Sequence, residues 1–454
     1  MQSKTVLCSI LCVLSSAASS FVGASVDLEG FGFEPPAPSN LFSFVGAPES
    51  TETAPPGNTW PIEVDVTMLA ASPQMLVLNL PDRSAALLSR DSWRPRGPGK
   101  FLWTGRGDGC SGIFNVIPGH AVGTIACLSG NYRMRSGTAG THLTRIVASA
   151  PPPGAFDDVA SVEEPLPLDT QTVTIPAHLQ SPIVEDRIDV LVLYTALVRQ
   201  DIQAQGGNVQ LEMQHLIDET QQAMVNSASA RTGFPLTDVF MVHTQEVARG
   251  ESGTLNSDLL YLRESTEPQS LRSVWKADII MLVRKTKSQN KCGLAYTPGF
   301  GGAPGPADFA PLAVGVAVRV TKEVCTYAPY NFQHEFGHIL GGNHNEENND
   351  NTTPLEPWAL AHWSNPMASP KSGHRTILSY VVPEGGPGEP YCHGECIQVL
   401  HYANADITYL DPIDNTSFVT GVMNLKENAR VIAEVAPYAW LWSDRIFANG
   451  FEFQ

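Results

Sequence analysis

The feature that most constrains this chain is the segment from His334 to His344, which reads H-E-F-G-H-I-L-G-G-N-H. If residues 331–340 are helical, His334 and His338 project from one face of the helix, one turn apart. The two glycines that follow predict the end of the helix, because glycine readily takes the left-handed conformation of a sharp turn. That turn can bring His344 back toward the other two histidines. Three imidazoles and one open position are typical of a catalytic zinc site, so these three histidines are the predicted zinc ligands.

The residue after the first histidine supplies the second half of the chemistry. Glu335 can sit beside a zinc-activated water without binding the metal, and it is the predicted general base for peptide-bond hydrolysis. The sequence therefore predicts a zinc-dependent endopeptidase with one catalytic zinc ion. The alternative is a catalytically restricted or inactive protein of the same fold that serves in binding. The presence of Glu335 argues against it, because a binding module needs no general base.

These residues also carry a resemblance to a known family. His334–His344 matches the metzincin pattern H-E-x-x-H-x-x-G-x-x-H, and the chain resembles the reprolysin/adamalysin group, in its exported bacterial type. Further segments resemble, in order, that group's opening strand, the segment ahead of its active-site helix and two later blocks: Arg187–Thr195, Cys292–Tyr296, Tyr402–Tyr409 and Asn428–Val431. The resemblance implies an α+β catalytic domain with an α/β-type upper subdomain, and an active-site helix between this subdomain and a smaller lower one.

The resemblance also assigns roles to residues after the third histidine. Metzincins carry a methionine turn beneath the zinc, and Thr376–Tyr380 fits it best, with Leu378 where methionine is expected. Leucine has a similar volume, so a working site is expected; Met367 is the rival position. A tyrosine placed like Tyr380 reaches the metal or the tetrahedral intermediate in astacin- and serralysin-like metzincins. For Tyr380, packing under the cleft is favoured over this role. Asn345 stands where reprolysins usually have aspartate.

The start of the chain predicts export. Lys4 precedes the apolar stretch Val6–Val13 and then small residues up to Ala24, the pattern of a secretory signal peptide. The small residues before position 25 suit cleavage there, and Ala18 is an alternative. We therefore expect a secreted, extracellular protein.

Cysteine usage agrees with that compartment. Of the eight cysteines, Cys8 and Cys12 fall in the predicted signal peptide, and an even number remains in an exported chain. Cys110 and Cys127 lie at neighbouring predicted strands and can meet across a hairpin, while Cys392 and Cys396 close a small loop. Cys292 and Cys325 then remain to pair with each other. The predicted disulfides are therefore Cys110–Cys127, Cys392–Cys396 and Cys292–Cys325. A cysteine-rich zinc site is the alternative, but the chain contains no C-x-x-C pair.

Pattern changes along the 454 residues predict two folded units and their connections. Alternating apolar residues from Trp60 onward predict short antiparallel strands. A proline-rich acidic stretch then predicts an exposed linker, followed by a strand, a long helix and further strands. The β-rich unit looks like a propeptide. This predicts a precursor whose active site is blocked sterically or by a carboxylate and which is activated by a cut within residues 150–190.

The predicted organisation is a signal peptide at 1–24, an irregular leader at 25–59, a small antiparallel β-rich propeptide-like domain at 60–150, a linker at 151–186, the peptidase domain at 187–442 and a C-terminal tail at 443–454.

Charge limits the partners. With 46 acidic and 28 basic residues the formal net charge is -18, which disfavours nucleic acid because phosphate binding needs a basic surface. No later run is apolar enough to span a membrane. We expect protein or peptide substrates and a monomeric chain. The run at 345–350 is rich in Asn, Glu and Asp and could hold calcium, but it lacks the alternation and the bracketing glutamate of an EF-type loop. A solvated loop is favoured there.

Overall fold

The computed structural model describes residues 39–45, 59–81, 85–128, 130–138, 140–146, 159–162, 186–321, 324–348, 353–365, 373–382, 392, 396–410 and 417–444. The predicted signal peptide, Met367 and the tail beyond Asp444 lie outside these residues. Strands and helices are mixed throughout, in agreement with the expected α+β class. Among the described residues, no helix has both the length and the apolar character to cross a membrane.

The N-terminal part is one sheet of ten strands with the spatial order β1-β4-β5-β6-β7-β8-β9-β10-β3-β2. All neighbours are antiparallel except β1 and β4. A short helix, α1 (Val66–Ala70), follows β3. The strands are β1 (Ser39–Asn40), β2 (Phe42–Phe44), β3 (Thr59–Val64), β4 (Met75–Leu78), β5 (Ala86–Gly97), β6 (Lys100–Gly107), β7 (Cys110–Ile117), β8 (His120–Cys127), β9 (Gly130–Gly137) and β10 (Gly140–Ile146).

This sheet closes on itself through Leu41. The first and last strands in the spatial order, β1 and β2, are separated by this single residue. Its N–H donates to the carbonyl of Val77 and its carbonyl accepts from the N–H of Asp65, so it joins both edges. The expectation of an irregular leader is therefore wrong for residues 39–45. Strands of two or three residues are too short to show alternation, and their partners lie far along the chain.

A tight turn joins β6 to β7 next to the first disulfide. Asp108 and Gly109 both have positive φ, 49° and 68°, the geometry of a two-residue type I′ hairpin turn. Cys110 begins β7 directly after this turn and lies opposite Cys127 at the end of β8. The two cysteines are bonded, with their Cα atoms 4.0 Å apart. The structure also pairs Cys292 with Cys325 and Cys392 with Cys396.

The C-terminal part begins with a five-stranded sheet in the order β12-β11-β13-β15-β14. Neighbours run parallel except for the edge strand β14, which is antiparallel to β15. Its elements are β11 (Arg187–Tyr194), α2 (Ala196–Ala204), α3 (Val209–Asn226), β12 (Asp238–Glu246), α4 (Leu255–Glu264), α5 (Thr266–Trp275), β13 (Ile279–Arg284), β14 (Gly293–Ala295), β15 (Val314–Val318) and α6 (Asn331–Ile339). The central strands are buried along their whole length, which explains their unbroken apolar sequences.

Shorter elements follow α6. Three two-residue strands form one small sheet, and two three-residue strands form another. These strands are β16 (Trp363–Ser364), β17 (His374–Arg375), β18 (Ile397–Gln398), β19 (Thr408–Leu410) and β20 (Ser417–Val419). The last helix is α7 (Asn428–Ala439).

The two parts meet along α3, where opposite charges are buried together. Arg96 on β5 forms a two-pronged ion pair with Asp218, at 2.5 and 2.6 Å. Arg133 and Arg135 on β9 pair with Glu219 and Glu212, respectively. These three carboxyl groups of α3 are almost fully covered by the N-terminal sheet and its surroundings.

A histidine lies in the middle of these ion pairs. The amide of Asn115 donates to Nδ1 of His215 over 2.9 Å, and Nε2 of this histidine contacts the hydroxyl of Thr124 at 2.8 Å. Because Nδ1 accepts a hydrogen bond, the imidazole is neutral while the two parts are docked. The contact surface therefore contains a titratable group that must stay uncharged.

Candidate active site

The helix α6 is fixed at its start by an asparagine. The side chain of Asn331 donates to the carbonyls of Cys292 and Val318, at 2.5 and 3.2 Å, and so joins the helix to the ends of β14 and β15. Gln333 donates to the carbonyl of Leu216 in α3. All residues of α6 are buried, which holds its inward face in one orientation.

The helix ends where the sequence predicts. Gly341 has φ of 85°, and its N–H donates to the carbonyl of His338. Gly342 donates to the carbonyl of Gly337, and the chain then reverses toward His344. A side chain at position 342 would place Cβ 2.4 Å from Cδ1 of Leu378, so glycine is required there by close packing as well.

The structure brings the three predicted ligand histidines together. Their Nε2 atoms lie 3.1 Å apart for His334 and His338, 3.3 Å for His334 and His344, and 3.0 Å for His338 and His344. Nδ1 of His334 donates to the carbonyl of Ile377 and Nδ1 of His338 to the carbonyl of Gly342, both over 2.9 Å. These bonds leave the Nε2 lone pairs of both rings facing one point. Such convergence fits a bound cation, and the backbone acceptors orient the rings as metal-binding imidazoles require.

Among the described residues, these three histidines form the group of His, Cys, Asp or Glu side chains close enough together to hold a metal ion. In the run at 345–350, for which a solvated loop is favoured over a calcium site, the carboxylate of Glu347 accepts from Asn345 and from Nε1 of Trp363. Residues 349–350 of that run lie outside the described residues.

The carboxylate of Glu335 lies against the edge strand β14. Its side chain is fully buried, and a Cβ atom on Gly293 would fall 1.9 Å from Oε1. Gly293 therefore makes room for the carboxylate beside the histidines. Within Cys292–Tyr296 the sequence does not single out this glycine, because its role depends on a partner about forty residues later in the chain.

The turn Thr376–Tyr380 lies directly against the predicted ligand histidines. The carbonyl of Ile377 accepts from His334 and also from the side chain of Gln398. Leu378 is fully buried, and a Cβ atom on Gly337 of α6 would lie 3.1 Å from its Cδ1. These contacts place the turn under the helix.

Tyr380 and Asn345 connect this turn to the third histidine. The ring of Tyr380 is centred 5.1 Å from that of His334 and 4.7 Å from that of His344. The N–H of Tyr380 donates to Oδ1 of Asn345 over 2.8 Å, while the amide of Asn345 donates to Glu347 and Asn348. Asn345 both accepts and donates, and an ionised aspartate at this position could only accept.

Replacing Leu378 with Met tests the assignment of the turn. We expect unchanged metal content and a change in unfolding free energy below about 1.5 kcal/mol, because the swap nearly conserves volume at a buried site without metal contact. Leu378→Ala is the matched control and should cost about 2–5 kcal/mol, because it leaves a cavity. Thermal unfolding and metal analysis would check both variants. Loss of metal from the Met variant would show that the turn is misplaced.

A short piece of the predicted linker lies on the edge of β14. Val159 forms a parallel bridge with Ala295, and the N–H of Ala160 donates to the carbonyl of Ala295 over 2.9 Å. The N–H of Val162 donates to the carbonyl of Gly301. The expectation of an exposed linker is therefore wrong for residues 159–162, where Ala160 is buried. Four residues show no strand pattern of their own, and only the open edge of β14 explains their conformation.

Comparison with known proteins agrees with this site. Residues 184–383 match the metallo-peptidase family M12, in its reprolysin-like group. This segment of the chain is therefore similar to the reprolysin-like metallopeptidases of that family.

Two relatives carry the same name. A peptidyl-Asp metalloendopeptidase of Xanthomonas campestris is 25% identical over 305 residues, which are 65% of this chain and 62% of the relative. One of Stenotrophomonas maltophilia is 26% identical over 251 residues, which are 54% of this chain and 50% of the relative. The chain thus spans about half to three-fifths of the length of these relatives. Metalloproteinase-II from Bacteroides fragilis is 12% identical and covers 75% of this chain and 92% of its own, with a TM-score of 0.39, too low to carry an argument.

Proposed function

We propose that this chain is a zinc-dependent endopeptidase, exported and made as a precursor. The convergence of three Nε2 atoms beside the carboxylate of Glu335 carries the proposal. Three neutral imidazoles with an open fourth position suit catalytic zinc better than a structural ion, which takes four protein ligands. Disulfides are common in exported proteins and support secretion.

The residues of the chain divide the work of hydrolysis. When bound by the three histidines, zinc acts as a Lewis acid that makes water more acidic and polarises the substrate carbonyl. Glu335 accepts the proton of the attacking water and returns it to the leaving amine. Tyr380 has its ring against two of the ligands and is proposed to stabilise the negative charge that develops on the carbonyl oxygen.

The edge strand β14 is proposed to align the substrate. An extended peptide can add to an exposed sheet edge through backbone hydrogen bonds, and β14 runs directly past Glu335. The active-site helix then lies between the five-stranded sheet above and the elements after position 344 below. A preference for Asp, taken from the name of the two relatives, is proposed for this chain as well.

The precursor state rests on the occupation of that same edge. Residues 159–162 take the backbone positions of β14 that a substrate would need. The N-terminal sheet is proposed to be the propeptide, docked on α3, and cleavage between 163 and 186 would release both. Blocking by a cysteine thiol of this sheet is excluded, because its two cysteines form a disulfide with each other, and the occupied edge of β14 favours steric blocking.

Peptide hydrolysis with and without metal tests the function. The full-length chain, cut within residues 163–186 by limited proteolysis, should hydrolyse a fluorogenic peptide library. It should lose activity with a chelator and regain it with one equivalent of zinc. The uncut chain is the matched control and should be far less active. Zinc binding without hydrolysis of any peptide would favour the binding-protein alternative.

A further inference from the structure

An arginine lies buried beside the active-site turn. Arg375 is in β17, only two residues before Ile377, whose carbonyl holds His334. Its side chain is 1% exposed. Nη1 donates to the carbonyl of Ser379 over 2.6 Å, and Nη2 donates to the carbonyl of Tyr327. The guanidinium therefore bridges the turn under the ligands and the segment that leads into α6.

This guanidinium has no carboxylate partner among the described residues. Burial lowers the pKa of Arg375 to about 9, and no acidic group counters the effect, so the side chain is still a cation at neutral pH. Its Nε atom has no hydrogen-bond partner. Two other buried arginines do pair with acids: Arg284 contacts Asp258, and Arg319 contacts Asp201. A buried charge without a counter-charge is costly, so this position lacks an anion.

We propose that Arg375 determines specificity by binding the carboxylate of an Asp side chain next to the scissile bond. This inference rests on the proposed function and names the residue behind the proposed Asp preference. Two of the five N–H groups of the guanidinium donate to backbone carbonyls, which leaves three for a carboxylate. The planar fork of an arginine matches a carboxylate with two parallel hydrogen bonds.

The same arrangement explains why a neutral side chain would be rejected. Asparagine has nearly the shape of aspartate but brings no charge, so the buried cation would stay unpaired in the complex. Sites built around a buried polar group discriminate strongly against ligands that leave it unsatisfied. The discrimination should therefore appear between Asp and Asn peptides, which differ little in size.

Three variants of the activated enzyme test this role. Arg375→Gln keeps an amide donor for the carbonyls but removes the charge, Arg375→Lys keeps the charge, and Arg272→Gln is the matched control. Arg272 is also buried and donates to two backbone carbonyls, those of Ala277 and Asp278, but it lies in α5. The substrates are two peptides that differ only in Asp or Asn at the position after the scissile bond. The measurement is kcat/KM for each peptide, with thermal unfolding and zinc content alongside.

We expect Arg375→Gln to lower the Asp-to-Asn ratio of kcat/KM by about 10²-fold, mainly through KM. Arg375→Lys should retain part of the ratio. Arg272→Gln should lower the unfolding temperature and leave the ratio unchanged. Equal losses on both peptides in the Gln and Lys variants would reduce Arg375 to structural support and overturn the inference.

Binding separates this inference from the proposed function. The affinity of both peptides for the zinc-loaded Glu335→Gln variant can be measured by fluorescence anisotropy, with and without the Arg375→Gln change. If hydrolysis fails but Asp peptides still bind more tightly through Arg375, the specificity stands and the endopeptidase proposal falls. If hydrolysis is robust with no Asp preference, the inference falls alone.

Discussion

Replacing Glu335 with Gln is expected to reduce peptide hydrolysis by about 10²–10⁴-fold while the zinc content stays unchanged. The glutamine has almost the same shape, so it should fit in the space that Gly293 leaves beside the ligands. It cannot accept the proton of the attacking water. The three predicted ligand imidazoles are untouched, and the orienting bonds of His334 and His338 go to backbone carbonyls. Zinc analysis and initial rates on a fluorogenic peptide would check both parts.

His338→Ala should behave differently and lose zinc and activity together, because two ligands hold catalytic zinc poorly. His243→Ala is the matched control, since this histidine stacks on Trp275, outside the ligand cluster, and should keep both zinc and activity. If Glu335→Gln cleaves as fast as the unaltered enzyme, Glu335 is not the base, whatever the metal content.

Acid should release the N-terminal sheet from the peptidase part. After cleavage within residues 163–186, we expect the fragment to stay bound at about pH 8 and to dissociate as the pH falls below 6.5, the ordinary pKa of histidine. His215 is neutral in the docked state, where Nδ1 accepts from Asn115. The charged groups that surround it are Glu212, Asp218 and Glu219 on α3 and Arg96, Arg133 and Arg135 on the sheet.

The direction follows from the pKa of each group in the docked state. Burial, and then the three arginines, hold the pKa of His215 well below its usual value. Separation would expose His215 and let it take up a proton, so docking is strongest above pH 6.5 and weakens below it. For Glu212, burial alone would raise the pKa, but Arg135 and Arg319 lower it overall. Its contribution is also lost as the pH falls below 4.5, the ordinary pKa of glutamate. Each proton taken up on release raises the dissociation constant about tenfold per pH unit.

Size-exclusion chromatography of the cut protein between pH 8 and pH 4, with peptidase activity measured after return to neutral pH, would follow the release. His215→Asn should move the release to lower pH, because it removes the group that titrates first. His243→Gln is the matched control and should leave the profile unchanged. A profile that is identical in the His215 variant would remove this histidine from the mechanism.

Sequence and structure contribute differently to the two parts of the fold. The long helix α3 and the strands β11 and β13 follow from strong apolar patterns. The strand β5 is the longest among the described residues, yet the sequence does not predict it, because most of its residues are at least partly exposed and Pro95 interrupts it. The sequence indicates helix α7 only through the resemblance of its first residues to a later block of the family. The position of the helix is set by packing on the strands and helices of the peptidase part.

The sequence by itself determined the chemistry of the site. His334, Glu335 and His338 lie within one helical turn, and the glycines after Leu340 bring back His344, so local geometry alone places these groups together. Short-range spacing is readable because a helix converts it directly into direction. The three disulfide pairs of the structure are also those predicted from neighbouring strands, from a small loop and, for Cys292–Cys325, by elimination.

Only the tertiary structure decided what surrounds that chemistry. Gly293 beside Glu335, the carbonyl of Ile377 on His334, residues 159–162 on β14 and the unpaired charge of Arg375 all join segments far apart in the chain. None of them has a local signature, because each depends on which distant backbone or side chain the fold brings near. Spacing along one helix fixes how a metal is held, whereas the assembly of separate segments fixes how the site is covered and what it selects.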